Sequence, residues 1–91
     1  MPRYLGERSF PQGLQIPLNG DGRKALDAVI ANNAEHRVSW VHSYVNPENT
    51  ATFCIYDAPS PEAIRNAANR NGLPVGRITQ VNVLDPYFYR A

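Results

Sequence analysis

Apolar positions along the chain follow two spacings, every second residue in some stretches and every third or fourth in others. Arg3 to Phe10 reads as a first strand, with Tyr4, Leu5 and Phe10 as its larger apolar members. Ser9 to Gly20 carries Pro11, Gly13, Pro17 and Gly20, too much punctuation for a regular element. Leu14, Ile16 and Leu18 within that loop predict that it packs on something. Ala25, Leu26, Val29 and Ile30 then share one side of a helix that starts at an Asp21 N-cap and runs through Glu35. Its apolar stripe is narrow. His36, next in line, is expected to face solvent or the carbonyls that end the helix.

Val38 to Asn46 is rich in β-branched and aromatic residues and reads as a strand. Asn46-Pro47-Glu48-Asn49 reverses the chain, and Thr50 to Tyr56 returns beside it. A second helix has clear signals at both ends. Ser60 is its N-cap, Pro61 its first residue, and Glu62 lies where the helix dipole favours an anion. Ile64, Ala67 and Ala68 form its buried stripe, and Asn71-Gly72 closes it. Ile78 to Val83 is the last strand. Leu84 to Ala91 is an aromatic tail whose rings need cover, in a dimer interface or as a lid on the sheet.

The order β-α-β-β-α-β predicts one ferredoxin-like α+β domain over residues 1–91. Such a fold lays two helices on one face of a four-stranded antiparallel sheet and leaves the other face uncovered. Side chains alternate along a strand, so the central hairpin divides by parity. Val41 and Val45 with Phe53 and Ile55 are apolar throughout and are expected beneath the helices. Val38, Trp40, His42 and Tyr44 with Thr52, Cys54 and Tyr56 are then expected on the open face. A register placing His42 opposite Cys54 and Tyr44 opposite Thr52 keeps both sets coherent, with Cβ atoms about 4.5–5.5 Å apart.

Composition narrows the choices. The 91 residues are 43% hydrophobic and 19% charged with a formal net charge of +1, which excludes disordered and collagen-like classes. A balance so near zero gives no electrostatic footprint for nucleic acid or an anionic membrane. Apolar runs stop far short of the roughly 20 residues that span a bilayer, and Met1-Pro2-Arg3-Tyr4 lacks the apolar stretch of a signal peptide. A single cysteine excludes an intrachain disulfide and fits a reducing cytoplasm, where the protein is expected. Ala51 to Tyr56 has neither the basic residue nor the glycine of an RNA-recognition strand. Asn19-Gly20-Asp21-Gly22 is too short and too acidic to cradle phosphates.

Three readings fit the expected open face. Trp40, Tyr44 and Tyr56 suit a dimer interface, burying rings while offering polar tips. Histidine nitrogen and cysteine thiolate suit a transition metal, with His42, Cys54 and an oxygen from Glu7 or Asp57 as donors. The same face also suits a small-molecule or catalytic site, with His42 as general base, Tyr44 or Tyr56 as orienter, and Trp40, Tyr44 and Tyr56 against the ligand. Cys54 as a nucleophile would need a depressed pKa, and no neighbouring cation is visible in sequence. None of these readings requires an organic cofactor.

Trp40-Val41-His42-Ser43-Tyr44-Val45 and Thr52-Phe53-Cys54-Ile55-Tyr56-Asp57-Ala58-Pro59 resemble a family of small bacterial nickel-binding proteins. Pro2-Arg3-Tyr4-Leu5, Glu7-Arg8, Glu62-Ala63-Ile64-Arg65, Asn71-Gly72-Leu73-Pro74 and Leu84-Asp85-Pro86-Tyr87 extend the likeness over nearly the whole chain. The resemblance implies a ferredoxin-like subunit, a homodimer, and nickel bound at or near the dimer surface for sequestration or sensing. It does not name the ligands; His42, Cys54 and Glu7 come from the residues themselves. The topology also resembles the wider dimeric α+β-barrel group, which includes cofactor-free isomerases, cyclases and oxygenases. That likeness implies, as the alternative, a small-molecule pocket between two open sheet faces.

Overall fold

A computed structural model describes residues 1–14 and 20–89 of the chain. The elements are β1 (Arg3–Ser9), α1 (Gly20–Glu35), β2 (Ser39–Val45), β3 (Ala51–Asp57), α2 (Pro61–Arg70) and β4 (Arg77–Val81), with a 3-10 turn at Pro86–Tyr89. Their order matches the expected one, and the strands form an antiparallel sheet arranged β2-β3-β1-β4. This is the ferredoxin-like α+β fold. Boundaries differ from expectation by a residue or two, most at β4, which ends before Val83.

α2 is built as its sequence implies. The Ser60 hydroxyl accepts from the Ala63 N–H at 3.2 Å, and Pro61 opens the first turn. At the far end the Leu73 N–H donates to the Ala68 carbonyl and Gly72 takes φ +68°, a Schellman closure that favours glycine. Ile64, Ala67 and Ala68 are at most 2% exposed and press on Tyr4, Tyr56, Ala58 and Val75 of the core cluster. Gly6 gives the Tyr56 ring room at the sheet centre. A Cβ there would lie 3.2 Å from both that ring and Val75.

α1 is attached differently. Of its 16 residues only Gly22 and Asn33 are buried; Leu26 and Val29 are half-buried, and Ile30 is exposed. A polar ladder ties its C-terminal end to α2. Asn32 Nδ2 donates to Asn71 Oδ1 at 2.8 Å, Asn71 Nδ2 donates to Asn33 Oδ1 at 3.1 Å, and Arg70 pairs with Glu35 at 2.9 Å. The helix then closes as α2 does, with the Val38 N–H donating to the Asn33 carbonyl, but Arg37 occupies the left-handed position at φ +63°. His36 lies half-buried in that turn.

The expected division of the hairpin is reversed along β3 and at Val38 and Trp40, while His42 and Tyr44 stand on the open face and Val45 on the inner face as expected. Thr52, Cys54 and Tyr56 are buried beneath the helices, while Phe53 and Ile55 face away. β2 starts in the expected register, with Trp40 opposite Tyr56, but a bulge at Val41 moves every later pair by one. His42 therefore meets Ile55, Ser43 meets Cys54, Tyr44 meets Phe53 and Val45 meets Thr52. The physical reason lies in β1, which pairs Tyr4 with Tyr56, Gly6 with Cys54 and Arg8 with Thr52. The missing side chain at Gly6 leaves the Tyr56 ring its place on the inner face, so that face is chosen by fit rather than by the hydrophobicity of β3 alone.

Phe10 and Leu14 continue the pairing by donating from their backbone N–H groups to the carbonyls of Thr50 and Asn49. The expectation that Ile16 and Leu18 pack lies outside the described residues. Among the described tail residues, Leu84 and Tyr87 are 78% and 67% exposed. No helix among the described residues is long and apolar enough to cross a membrane.

Left-handed backbone costs a side-chain-bearing residue about 1–2 kcal/mol, against about 0.5–1 kcal/mol of extra chain entropy for glycine. Arg37→Gly is therefore expected to raise the unfolding free energy by about 0.5–1 kcal/mol in urea denaturation. A loss of stability would show that the Arg37 side chain contributes more than its backbone costs.

Candidate functional site

The reversal gives the sheet two chemically distinct faces. On the outer face, cross-strand partners line up in rows. His42, Ile55, Leu5 and Thr79 form one row, and Tyr44, Phe53, Glu7 and Arg77 form the next. His42 and Tyr44 are exposed and meet edge to face, with ring centroids 5.1 Å apart at 83°. Beyond them Arg3 holds Asp57 through two bonds, Nε to Oδ1 at 2.9 Å and Nη2 to Oδ2 at 3.2 Å. That guanidinium keeps the Asp57 carboxyl below its ordinary range. Asp57 is thus already engaged and is a poorer metal donor than its sequence position suggests.

The inner face carries a cavity of about 470 Å³ beneath α1. Leu26 and Val29 of the helix form part of its wall, with Trp40, Cys54 and Tyr56 of the sheet facing them. Arg8 also lines it and is only 9% exposed. Its Nε donates to the Leu73 carbonyl at 3.0 Å and its Nη1 to the Tyr56 hydroxyl at 2.8 Å, with Cys54 Sγ at 3.6 Å. Cys54 Sγ in turn lies 3.7 Å from Thr52 Oγ1. Trp40 Nε1 donates to Ser43 Oγ at 2.8 Å, a contact made possible by the bulge. Burial pushes the Tyr56 phenol up to about 12 despite the nearby positive charge, so it stays protonated at neutral pH.

The candidate residues therefore part into two groups. Trp40, Cys54 and Tyr56 come together around the cavity; His42, Tyr44 and Glu7 belong to the outer face. The expected His42–Cys54 juxtaposition does not form, because the bulge leaves them on opposite sides of the sheet. The absence of a cation near Cys54 is also corrected, since Arg8 supplies one. Arg8 is the residue that sequence reasoning missed. Its signal was the alternation Tyr4, Gly6, Arg8, which places it on the inner face as soon as β1 is recognised as a central strand.

No three of the histidine, cysteine, aspartate and glutamate side chains among the described residues gather as a metal-binding group. Those residues include every such side chain of the chain. A one-chain site of His42, Cys54 and Glu7 is therefore not assembled.

Fold and faces together define a ferredoxin-like α+β domain with a ligand-sized cavity on one side of its sheet and an aromatic, histidine-bearing surface on the other. Residues 4–81 match the family described as nickel responsive protein SCO4226-like, and the chain belongs to that family. The crystal structure of SCO4226 from Streptomyces coelicolor A3(2) shares the fold at a TM-score of 0.71 and 18% identity. The match covers 91% of this chain and 99% of that one. Among curated proteins none matches the chain.

The raised Tyr56 pKa carries a pH dependence. Its ordinary value is about 10, so the folded state holds this proton more tightly than the unfolded chain. The resulting stability is fully present below pH 10 and is lost as pH rises through about 12. Across that window the urea midpoint of the wild type should fall more steeply than that of Tyr56→Phe. Equal slopes would mean that the phenol is solvated.

Proposed function

We propose that the protein binds nickel and acts in its sensing or sequestration, through a site completed by two copies meeting outer face to outer face. The observation that carries this reading is the donor inventory. Among the described residues no three histidine, cysteine, aspartate or glutamate side chains gather, yet the chain belongs to a nickel-responsive family, so a second chain is the natural source of the remaining donors. His42 stands exposed on a sheet face rich in Tyr44, Phe53, Leu5 and Ile55, the kind of patch that a partner covers. Glu7 lies on that face one row away. Imidazole nitrogen with carboxylate oxygen from each of two copies is a donor set suited to nickel. Cys54 is left out because its thiol belongs to the cavity. A cofactor-free enzyme using His42, Tyr44 and Tyr56 together has less support, since Tyr56 lines the cavity and the other two do not.

Calorimetric titration of the metal-free protein with nickel, alongside sedimentation, tests the reading. Saturable binding at one nickel per dimer is expected, abolished by His42→Ala and weakened at least about tenfold by Glu7→Gln. The latter corresponds to about 1.4 kcal/mol. Cys54→Ala should leave nickel affinity unchanged. Binding by a monomer, loss in Cys54→Ala, or indifference to His42→Ala would each overturn the proposal.

A further inference from the structure

The cavity beneath α1 presents a charge problem. Guanidinium groups are cationic at neutral pH, and buried charges are ordinarily paired. Arg8 is buried, and its described partners are a carbonyl, a phenol and the sulfur of Cys54, none of them a carboxylate. None of the aspartate and glutamate side chains forms an ion pair with it. Tyr56 keeps its proton and supplies no compensating phenolate. The positive charge thus stands at an apolar cavity with no carboxylate side chain of the protein to answer it.

The wall of that cavity is incomplete in a matching way. Leu26 and Val29 of α1 reach toward it but stay half-buried, so the helix closes over space rather than over side chains. Its volume of about 470 Å³ lies in the range of small-molecule sites. An occupant with an apolar body would complete the burial of the α1 stripe, and an anionic head would neutralise Arg8. One guanidinium calls for one negative charge, and its planar fork matches a carboxylate. The hydroxyl of Thr52 and the phenol of Tyr56 flank the same spot as further hydrogen-bonding groups.

We infer that the inner cavity binds a monocarboxylate with an aliphatic or aromatic body, its carboxylate on Arg8 and its apolar part against Leu26, Val29 and Leu73 beneath α1. This site lies on the opposite side of the sheet from His42 and does not depend on the nickel reading.

Calorimetry with decanoate below its micellar concentration, and with decan-1-ol as the uncharged analogue, tests the inference on the full chain. Decanoate should bind saturably, at least about tenfold more tightly than the alcohol, and raise Tm with concentration. Arg8→Met should remove that preference, while Arg8→Lys should keep part of it. Leu26→Trp, which fills the cavity and leaves Arg8 in place, should abolish binding of both compounds and serves if Arg8→Met does not fold. The inference fails if the folded wild type does not bind decanoate, if acid and alcohol bind alike, or if binding survives Leu26→Trp.

Discussion

Arg8 enters the interior from the central strand and ties three parts of the fold together. Its bonds reach the Leu73 carbonyl beyond α2, the Tyr56 hydroxyl on the neighbouring strand, and the Cys54 sulfur. A guanidinium with these partners needs the tyrosine and cysteine of β3 on its own side of the sheet. That need, with the gap left at Gly6 for the Tyr56 ring, decides which face of the sheet the helices cover. The outer placement of Phe53 and Ile55, and with it the character of the exposed surface, follows from this choice.

The core that results is small and lopsided. α2 buries its stripe against the sheet, whereas the C-terminal end of α1 is secured by the asparagine ladder and the Arg70–Glu35 pair. Amide and ion-pair contacts at a partly exposed site add little free energy each but are directional. They fix the position of α1 without requiring its middle to be packed. The cavity is therefore a consequence of how the helix is held, and the half-buried Leu26 and Val29 are its counterpart on the helix.

The two faces of the sheet serve different chemistry because one backbone defect separates them. Without the bulge at Val41, His42 would share a face with Trp40 and Tyr56 and lie near the cavity. With it, His42 and Tyr44 turn outward while Trp40 remains inside, its indole held by Ser43. One inserted residue thus divides a nitrogen donor on the surface from a sulfur donor in the interior, and no group of three histidine, cysteine or carboxylate side chains forms among the described residues.

Much of this was legible in the residues. The alternation and helical spacing gave the order of elements, Ser60-Pro61 and Asn71-Gly72 gave the limits of α2, and the quoted motifs carried the family resemblance. These signals are local: a cap, a turn or a strand pairs with groups a few residues away. The orientation of the sheet was not local. Phe53 and Ile55 are more apolar than Thr52 and Cys54, and hydrophobicity alone favoured the wrong face. What overruled it was contact between residues far apart in sequence, Gly6 and Arg8 with Cys54 and Tyr56, and a bulge whose position no single residue announces. The chain by itself determined which elements form and in what order; only the tertiary structure decided which side of them is inside, because burial is set by how facing surfaces fit and not by the hydrophobicity of either one.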